Sequence, residues 1–369
     1  MAEREEFEEI GHSGGQVTFN IRTGPNGQRI YNVGWKHQRP VPVALFGVYA
    51  LPQGVAIGKI DLGGIGQPWN PAPVPGCYPV LIGSDSEGMF GHQCQRCGGY
   101  WRTPIPAQIC PYCGTRGERH EFLTDAQRRY VSQYCEVLSE GLIAKEDGEY
   151  VIDMDAVADA VGRDVQKPKF YYAEEGQQNQ FKCNECGTLN DILGIYGYCS
   201  TCGTRNDFYH FENKTIREIR ARINAVGPFE ACVKDAVAAF DSLAGHYMRE
   251  LVLRIPMTPR RKVRLEKMRF HNLKVVSQEF KNVFDIDLLT GMTPDEVAFA
   301  ERMFHRRHVY EHNGGEADEK YISDSGDTNV RPKQALHETQ DSAHRLASLV
   351  SKMASSLHRG FHDIFPPEK

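Results

Sequence analysis

The chain has 369 residues, 40% of them apolar and 25% charged, with a formal net charge of −5. That length admits two or three domains with true cores, and the slightly acidic balance excludes a chain-wide polyanion binder while leaving room for a local basic patch. The opening MAEREEFEEI is acidic with no apolar run behind it, unlike a secretory signal or transit peptide. The most apolar stretch, 41 to 58, is interrupted by Pro42, Gly47, Pro52 and Gly54 and is too short to span a bilayer, so no membrane partner and a cytoplasmic location are expected.

From residue 15 the pattern is one of strands. Val17, Phe19 and Ile21 alternate, GPNG at 24 to 27 predicts a hairpin, and Ile30, Val33 and Trp35 form a second run. Glycine and proline then recur as far as PAPVPGCYPV, 71 to 80, which reads as a linker closing a β-rich region over 1–88. GGIG at 63 to 66 lacks the lysine and the helix start of a phosphate loop.

Eight of the eleven cysteines fall in four CxxC pairs. Cys94, Cys97, Cys110 and Cys113 form one quartet, and Cys183, Cys186, Cys199 and Cys202 repeat it 89 residues later with the same twelve-residue gap and matching tails, CGTRG and CGTRN. This is an internal duplication. Two residues between cysteines let one tight turn aim both sulfurs at one ion, the following glycine relieves the backbone, and two such turns close a tetrahedron. Four thiolates leave no open position for a water, so the expectation is two structural Zn2+ ions in two ribbons, 89–122 and 179–215, with iron–sulfur or redox chemistry as the alternative. Tyr100, Trp101, Arg102 and Arg116 in the first ribbon, and Tyr196, Tyr198 and Arg205 in the second, suit either base stacking or the small apolar floor that a ribbon needs. Cys77, Cys135 and Cys232 read as plain buried residues.

Between the ribbons, 123–178 reads as a helical connector. A helix starts after a capping Thr124, and YVIDMDAVADAVG adds a strand or a second short helix. Past the second ribbon the period turns helical and stays so: Phe229, Val233, Ala236, Phe240, Leu243, Tyr247 and Leu251 recur at three and four, as do Leu346, Val350, Met353, Leu357, Phe361 and Ile364. Two helices fit between them, at 259 to 284 and 294 to 313. The expected fold is multidomain α+β: a β-rich N-terminal region, two four-cysteine zinc ribbons, and an antiparallel four-helix bundle over 216–369.

The third bundle helix ends in FHRRHVYEHNGG, 304 to 315, where Asn313, Gly314 and Gly315 are a stop signal. Its cations suit a helix carbonyl end, and His305, His308 and His312 share a face that could ligate a metal were Arg306 and Arg307 not beside it. A third reading pairs His312, which can move a proton near neutrality, with Arg307, whose fork can hold a phosphate as charge builds. Five helical steps rotate about 140°, so these two must converge through the long arginine stem, fraying at Asn313 or a second subunit.

RHVYEH at 307 to 312, at the end of the third helix of a C-terminal bundle and followed by NGGEADEKYI, resembles the HEPN superfamily motif over roughly 227 to 365. The resemblance implies a metal-independent endoribonuclease of a toxin or antiviral-defence system, active as a homodimer, with Arg307 on the scissile phosphate, His312 as acid or base and His308 as the polar residue beside the arginine. Members that accept nucleotides carry a tyrosine where this chain has Gly314. Between Arg249 and Lys274, nine basic residues face only Glu250 and Glu266, a net of +7. Arg260, Arg261, Lys262, Arg264 and Arg306 are therefore expected to bind RNA, with ribbons and β region recognising RNA, a partner or a trigger. The competing expectation is an adaptor whose ribbons bind nucleic acid or protein and whose bundle only dimerises.

Overall fold

A computed structural model describes residues 15–36, 44–62, 68–85, 87–160 and 178–368. The GGIG segment lies outside them. The chain divides into two compact units, the first running to Arg205 and the second from Asn206. Among the described residues no helix is long and apolar enough to cross a membrane.

The first unit is built on antiparallel sheets. Its strands are β1 (Gln16–Thr23), β2 (Arg29–Lys36), β3 (Leu45–Ala50), β4 (Ala56–Ile60), β5 (Tyr78–Gly83), β6 (Phe90–Gln93), β7 (Tyr100–Thr103), β8 (Gly148–Asp153), β9 (Gln178–Lys182) and β10 (Leu189–Leu193), with α1 (Asp125–Ile143) and α2 (Met154–Asp159). They form three sheets, ordered β2-β1-β8, β4-β3-β5 and β6-β7-β10-β9. The expected hairpin joins β1 to β2 through Gly24–Gln28, where Gly24 donates to the Gln28 carbonyl at 2.8 Å and Gly27 takes a φ of 73°. Val17, Phe19 and Ile21 all point into the core, as their alternation predicts.

Two expectations give way here. The 71–80 segment is not a linker throughout, because β5 begins at Tyr78 and Pro79 stands opposite Tyr49 in register. Proline weakens a strand pattern in sequence, yet β5 is an edge strand, where a missing N–H costs nothing. Nor does the 123–178 connector stand apart from the strands, although its expected packing helix is present as α1 and YVIDMDAVADAVG supplies both β8 and α2. β8 pairs along β1, and Tyr130, Tyr134 and Leu138 of α1 enter one core with Phe19, Phe46, Val80 and Phe90. Phe19 and Tyr134 meet edge to face at 4.7 Å, so the β region and the helix fold as one body.

The ribbons form one sheet about a local two-fold relation. β7 meets β10 at a single register pair, Arg102 with Asp191, and these residues are 89 apart, the repeat length itself. The same relation governs the flanking bonds: Ile109 N–H donates to the Ser200 carbonyl at 3.0 Å, and Tyr198 N–H to the Pro111 carbonyl at 2.9 Å. Equivalent positions thus face each other across the axis, and there divergence has set an arginine against an aspartate. Arg102 donates to Asp191 Oδ2 from Nε at 3.1 Å and Nη2 at 2.8 Å, and to Asp85 Oδ2 from Nη1 at 2.8 Å, all three side chains being buried.

The second unit is helical among its described residues. α3 (Asp207–His210) runs through a widened turn into α4 (Arg217–Asn224), followed by α5 (Phe229–Arg254), α6 (Pro259–Glu266), α7 (Leu273–Phe284), α8 (Pro294–His312), α9 (Glu319–Ser325) and α10 (Gln340–Ile364). α5 packs against α10 and α8, and α8 also touches α7, α9 and α10. The helical unit starts ahead of the expected 216, because Phe211, Ile216, Ile219 and Ile223 present a buried face to it. The expected single helix at 259 to 284 is two, broken at 267–272, where the Asn272 side chain caps α7 by accepting from Val275 N–H at 3.1 Å.

Replacing Arg102 with alanine strands Asp85 and Asp191 as buried charges, and removing one partner of such a set costs about 3–5 kcal/mol. Chemical denaturation of Arg102→Ala should show a loss of that order. A change below about 1 kcal/mol would mean that the ribbons are held together by other contacts.

Candidate active site and metal centres

Each cysteine quartet is preorganised by its turns. In all four knuckles the glycine after the second cysteine, Gly98, Gly114, Gly187 and Gly203, has a φ between 65° and 79° and donates its N–H to the carbonyl of the first cysteine. Sulfurs come together at 3.8 Å for Cys94 and Cys113, 3.7 Å for Cys97 and Cys110, 3.6 Å for Cys183 and Cys202, and 3.5 Å for Cys186 and Cys199. Four sulfurs placed about 2.3 Å from a tetrahedral centre lie roughly 3.8 Å apart, so both quartets fit one ion each. Burial pushes the Cys97 thiol up to about 11, and a cation is what lets such a group ionise. The repeat extends to the second layer, where the Thr115 and Thr204 hydroxyls touch the Cys113 and Cys202 sulfurs at 3.1 and 3.2 Å. Among the described residues these quartets are the groups whose ligating atoms converge for a metal.

Most of the ribbon aromatics and arginines singled out in sequence are floor rather than platform, although Tyr196 is half-buried and Arg116 exposed. Tyr100, Trp101 and Tyr198 are buried, as are Arg102 and Arg205, with Trp101 set edge-on to Phe122 and Arg205 lying 4.6 Å over the Tyr198 ring.

In the helical unit, α8 places the motif. Thr293 and Glu296 cap its start reciprocally at 3.2 and 2.9 Å, Asn313 ends it, and Gly315 N–H returns to the Val309 carbonyl at 3.2 Å, with φ values of 62° and 90° at Gly314 and Gly315. Its two adjacent arginines then take opposite roles.

Arg306, expected to bind RNA, is instead held within the fold. It donates to Glu338 at 2.9 Å, Asp327 at 3.0 Å and the Tyr321 hydroxyl at 3.1 Å, while Tyr310 and Ser342 donate to the same Glu338 at 2.6 Å each. Burial opposes the guanidinium charge, and Glu338 with Asp327 more than offsets this. Each of its three nitrogens is engaged inside the unit, so a phosphate could be held only by breaking these bonds.

Arg307 faces the other way. Its Nη2 meets Glu311 Oε2 at 2.9 Å, and His312 Nε2 lies 3.9 Å from that same oxygen. The 140° separation expected along the helix is therefore closed by Glu311 within one chain. An i,i+4 pair with a part-exposed glutamate is worth only about 0.5 kcal/mol, so a phosphate can take its place. Arg307 Nε is buried with no partner, and so is Asp241 Oδ1 on α5. The His308 ring lies tilted at 56° to that of His312, with centroids 4.7 Å apart.

Beside this cluster opens a cleft of about 460 Å³ lined by Asp241, Ser242 and Gly245 of α5 and by Glu266, Arg269 and His271 around the α6–α7 break. The Phe270 ring lies against α5 at Gly245, where an added Cβ would meet it at 3.5 Å, an ordinary contact. Burial, then the charges of Arg307 and Arg269, lower the His271 pKa, with Glu311 opposing and His312 adding to the lowering. Burial and the charge of His312 lower His308 likewise. Arg260, Arg261, Lys262 and Arg264 of α6 are exposed, although Arg264 already pairs with Glu279 at 2.6 Å and Lys262 with Glu266 at 3.9 Å. Asp241 and His271 escaped the sequence reading: Asp241 sits in an otherwise apolar helical pattern, and His271 lies in a break whose one signal is the capping Asn272.

No protein-family model, curated protein or solved structure matches the chain.

Burial raises the Asp241 carboxyl from 3.8 to about 6, partly countered by Arg307 and reinforced by Glu311. A carboxyl whose folded value lies above its unfolded value destabilises once ionised, so the penalty is absent below 3.8 and complete above about 6. Asp241→Asn should therefore stabilise the protein at pH 7 by on the order of 1 kcal/mol, after discounting for solvent screening at this part-exposed group. Thermal melts should show that gain vanishing below about pH 4. A gain independent of pH, or a loss at pH 7, would contradict the assignment.

Proposed function

We propose that the chain is a metal-independent endoribonuclease of the HEPN type, whose helical unit is a four-helix bundle of α5, α7, α8 and α10. The observation that carries this reading is the approach of Arg307 and His312 to one carboxylate oxygen of Glu311, at 2.9 and 3.9 Å. A phosphate replacing that carboxylate would meet a forked guanidinium and an imidazole together. The acidic residues after the motif are used elsewhere, since Asp318 caps α9 through Tyr321 N–H at 2.7 Å and accepts from Asn313 at 2.9 Å. With no carboxylate cluster among the described residues to hold two metals, the nucleophile comes from the substrate, as the ribose 2′-hydroxyl. Arg260, Arg261 and Lys262 supply phosphate contacts along the approaching strand. Two chains paired as the resemblance implies would set two clefts together, in the service of a toxin or defence system in the cytoplasm.

The ions of the two quartets are zinc, and structural. Elemental analysis should give two zinc ions per chain. Their removal should unfold the ribbons, since such sites contribute on the order of 10 kcal/mol to folding. Iron in place of zinc, or neither metal, would overturn this.

Arg307→Ala combined with His312→Ala should abolish RNA cleavage while leaving zinc content and helicity unchanged. A single 2′-deoxy position at the cut site should block the wild type there, in EDTA as without it. Cleavage at that position at the ribose rate, or an active double variant, would sink the ribonuclease reading.

A further inference from the structure

Arg102 and Arg306 are satisfied by carboxylates within the fold. The cleft between α5 and the α6–α7 break departs from that pattern. Asp241, Arg249, Arg269 and His271 line it, and none of the four makes a hydrogen bond or ion pair among the described residues. Asp241 is half-buried, and its Oδ1 is shut off from solvent without a partner, which leaves Oδ2 toward the cleft. A carboxylate in such surroundings accepts a hydrogen bond more strongly than one free in water, so the cleft offers a donor something that the chain does not use itself.

One stripe of α5 builds the floor. Asp241, Gly245 and Arg249 recur at four and so share a face, while the eight residues between the two charges set them about 12 Å apart along the axis, too far to satisfy each other. Between them, the place that a Cβ of Gly245 would take lies 3.5 Å from both Arg249 Nη1 and Phe270 Cε2, so a guanidinium and an aromatic ring converge on one bare spot of the helix. The half-buried Phe270 ring is backed in turn by Phe280, with centroids 6.5 Å apart. The volume of about 460 Å³ falls within the range of small-ligand sites, about 300–1,000 Å³. Glu266, which closes α6, also lines the cleft, and the cleft therefore lies at the end of the helix that carries the exposed Arg260, Arg261 and Lys262.

We infer that this cleft takes up one nucleotide of a bound RNA strand, the base lying on Phe270 with an amino N–H directed at Asp241, and the flanking phosphates meeting Arg249 and Arg269. The choice of RNA as the source rests on the ribonuclease reading above, whereas the cleft is assigned by its own lining. An aromatic face accepts any base, because every base has a π-face. The carboxylate discriminates. Adenine, guanine and cytosine each carry an amino group, but the N3–H of uracil lies between two carbonyls that would face the same carboxylate. The site therefore selects an amino-bearing base over uracil, and Asp241 is its specificity-determining residue.

The test uses the full chain and 2′-O-methyl uridine strands, which offer no 2′-hydroxyl to attack, each with one central adenosine, guanosine, cytidine, uridine or purine riboside, and reads binding by fluorescence anisotropy. The adenosine strand should bind about tenfold more tightly than the all-uridine one, and purine riboside, which keeps the ring but lacks the amino group, should lose most of that gain. Asp241→Asn, whose amide can donate to a uracil carbonyl, should bring the adenosine and uridine strands within about twofold of each other, with zinc content unchanged and melting no lower than the parent. Arg249→Ala should weaken every strand alike and flatten the salt dependence. Equal binding of all the strands by the wild type, or a preference that survives Asp241→Asn, would overturn the base assignment and leave cleavage by Arg307 and His312 untouched. Adenosine monophosphate competing as well as its strand would make the cleft a site for free nucleotides and overturn the strand assignment. If no strand binds, methylated or not, this inference and the ribonuclease reading fall together.

Discussion

The clamp on Arg306 governs the site. A guanidinium tied to Glu338, Asp327 and Tyr321 fixes the rotation of α8 about its own axis, because its three partners lie beyond the helix, on α9 and in the segments leading into α10. Once position 306 is turned inward, the helical step of about 100° carries Glu311 and His308 to the opposite side, with Arg307 and His312 flanking them and Glu311 meeting both. The apolar group of Val309, Ala317, Tyr321 and Leu336 closes over the same side as Arg306. Two identical neighbouring side chains thus do different work, one satisfied by buried carboxylates and one paired with a part-exposed glutamate.

The first unit uses the same device for another purpose. Arg102 lies at the axis relating the two ribbons, where a symmetric pair would set like against like. With arginine on one repeat and aspartate on the other, the axis becomes a buried ion pair, strengthened by Asp85 from the neighbouring loop. A buried pair of this kind contributes little net energy against an apolar alternative, but it penalises any register in which the charges miss each other. The two ribbons are consequently one sheet carrying two cysteine quartets that could each hold a metal ion.

Legibility followed how local each signal was. The quartets, the β1–β2 hairpin, the stop at Asn313–Gly315 and the apolar faces of α5 and α10 rest on spacing within a turn or a few turns, and all of these are present. Arg306 misled because its partners are 21 and 32 residues away, and nothing in RRH distinguishes a charge that will be buried from one that will not. The core shared by α1 and the N-terminal strands, and the arrival of β8 beside β1, depend on pairings more than a hundred residues apart. Asp241 and His271 belong to the same class: each looks ordinary in its own segment, and only the packing of α5, α8 and the α6–α7 break brings them to one cleft.

The central claim is that the helical unit cuts RNA with the substrate's own 2′-hydroxyl, and the ends of the product report on that directly. Mass analysis of fragments from a defined oligoribonucleotide should show a 2′,3′-cyclic phosphate, or the 3′-phosphate formed from it, facing a free 5′-hydroxyl. Fragments carrying a 5′-phosphate and a 3′-hydroxyl would mean that water was the nucleophile, and would contradict the account at its foundation.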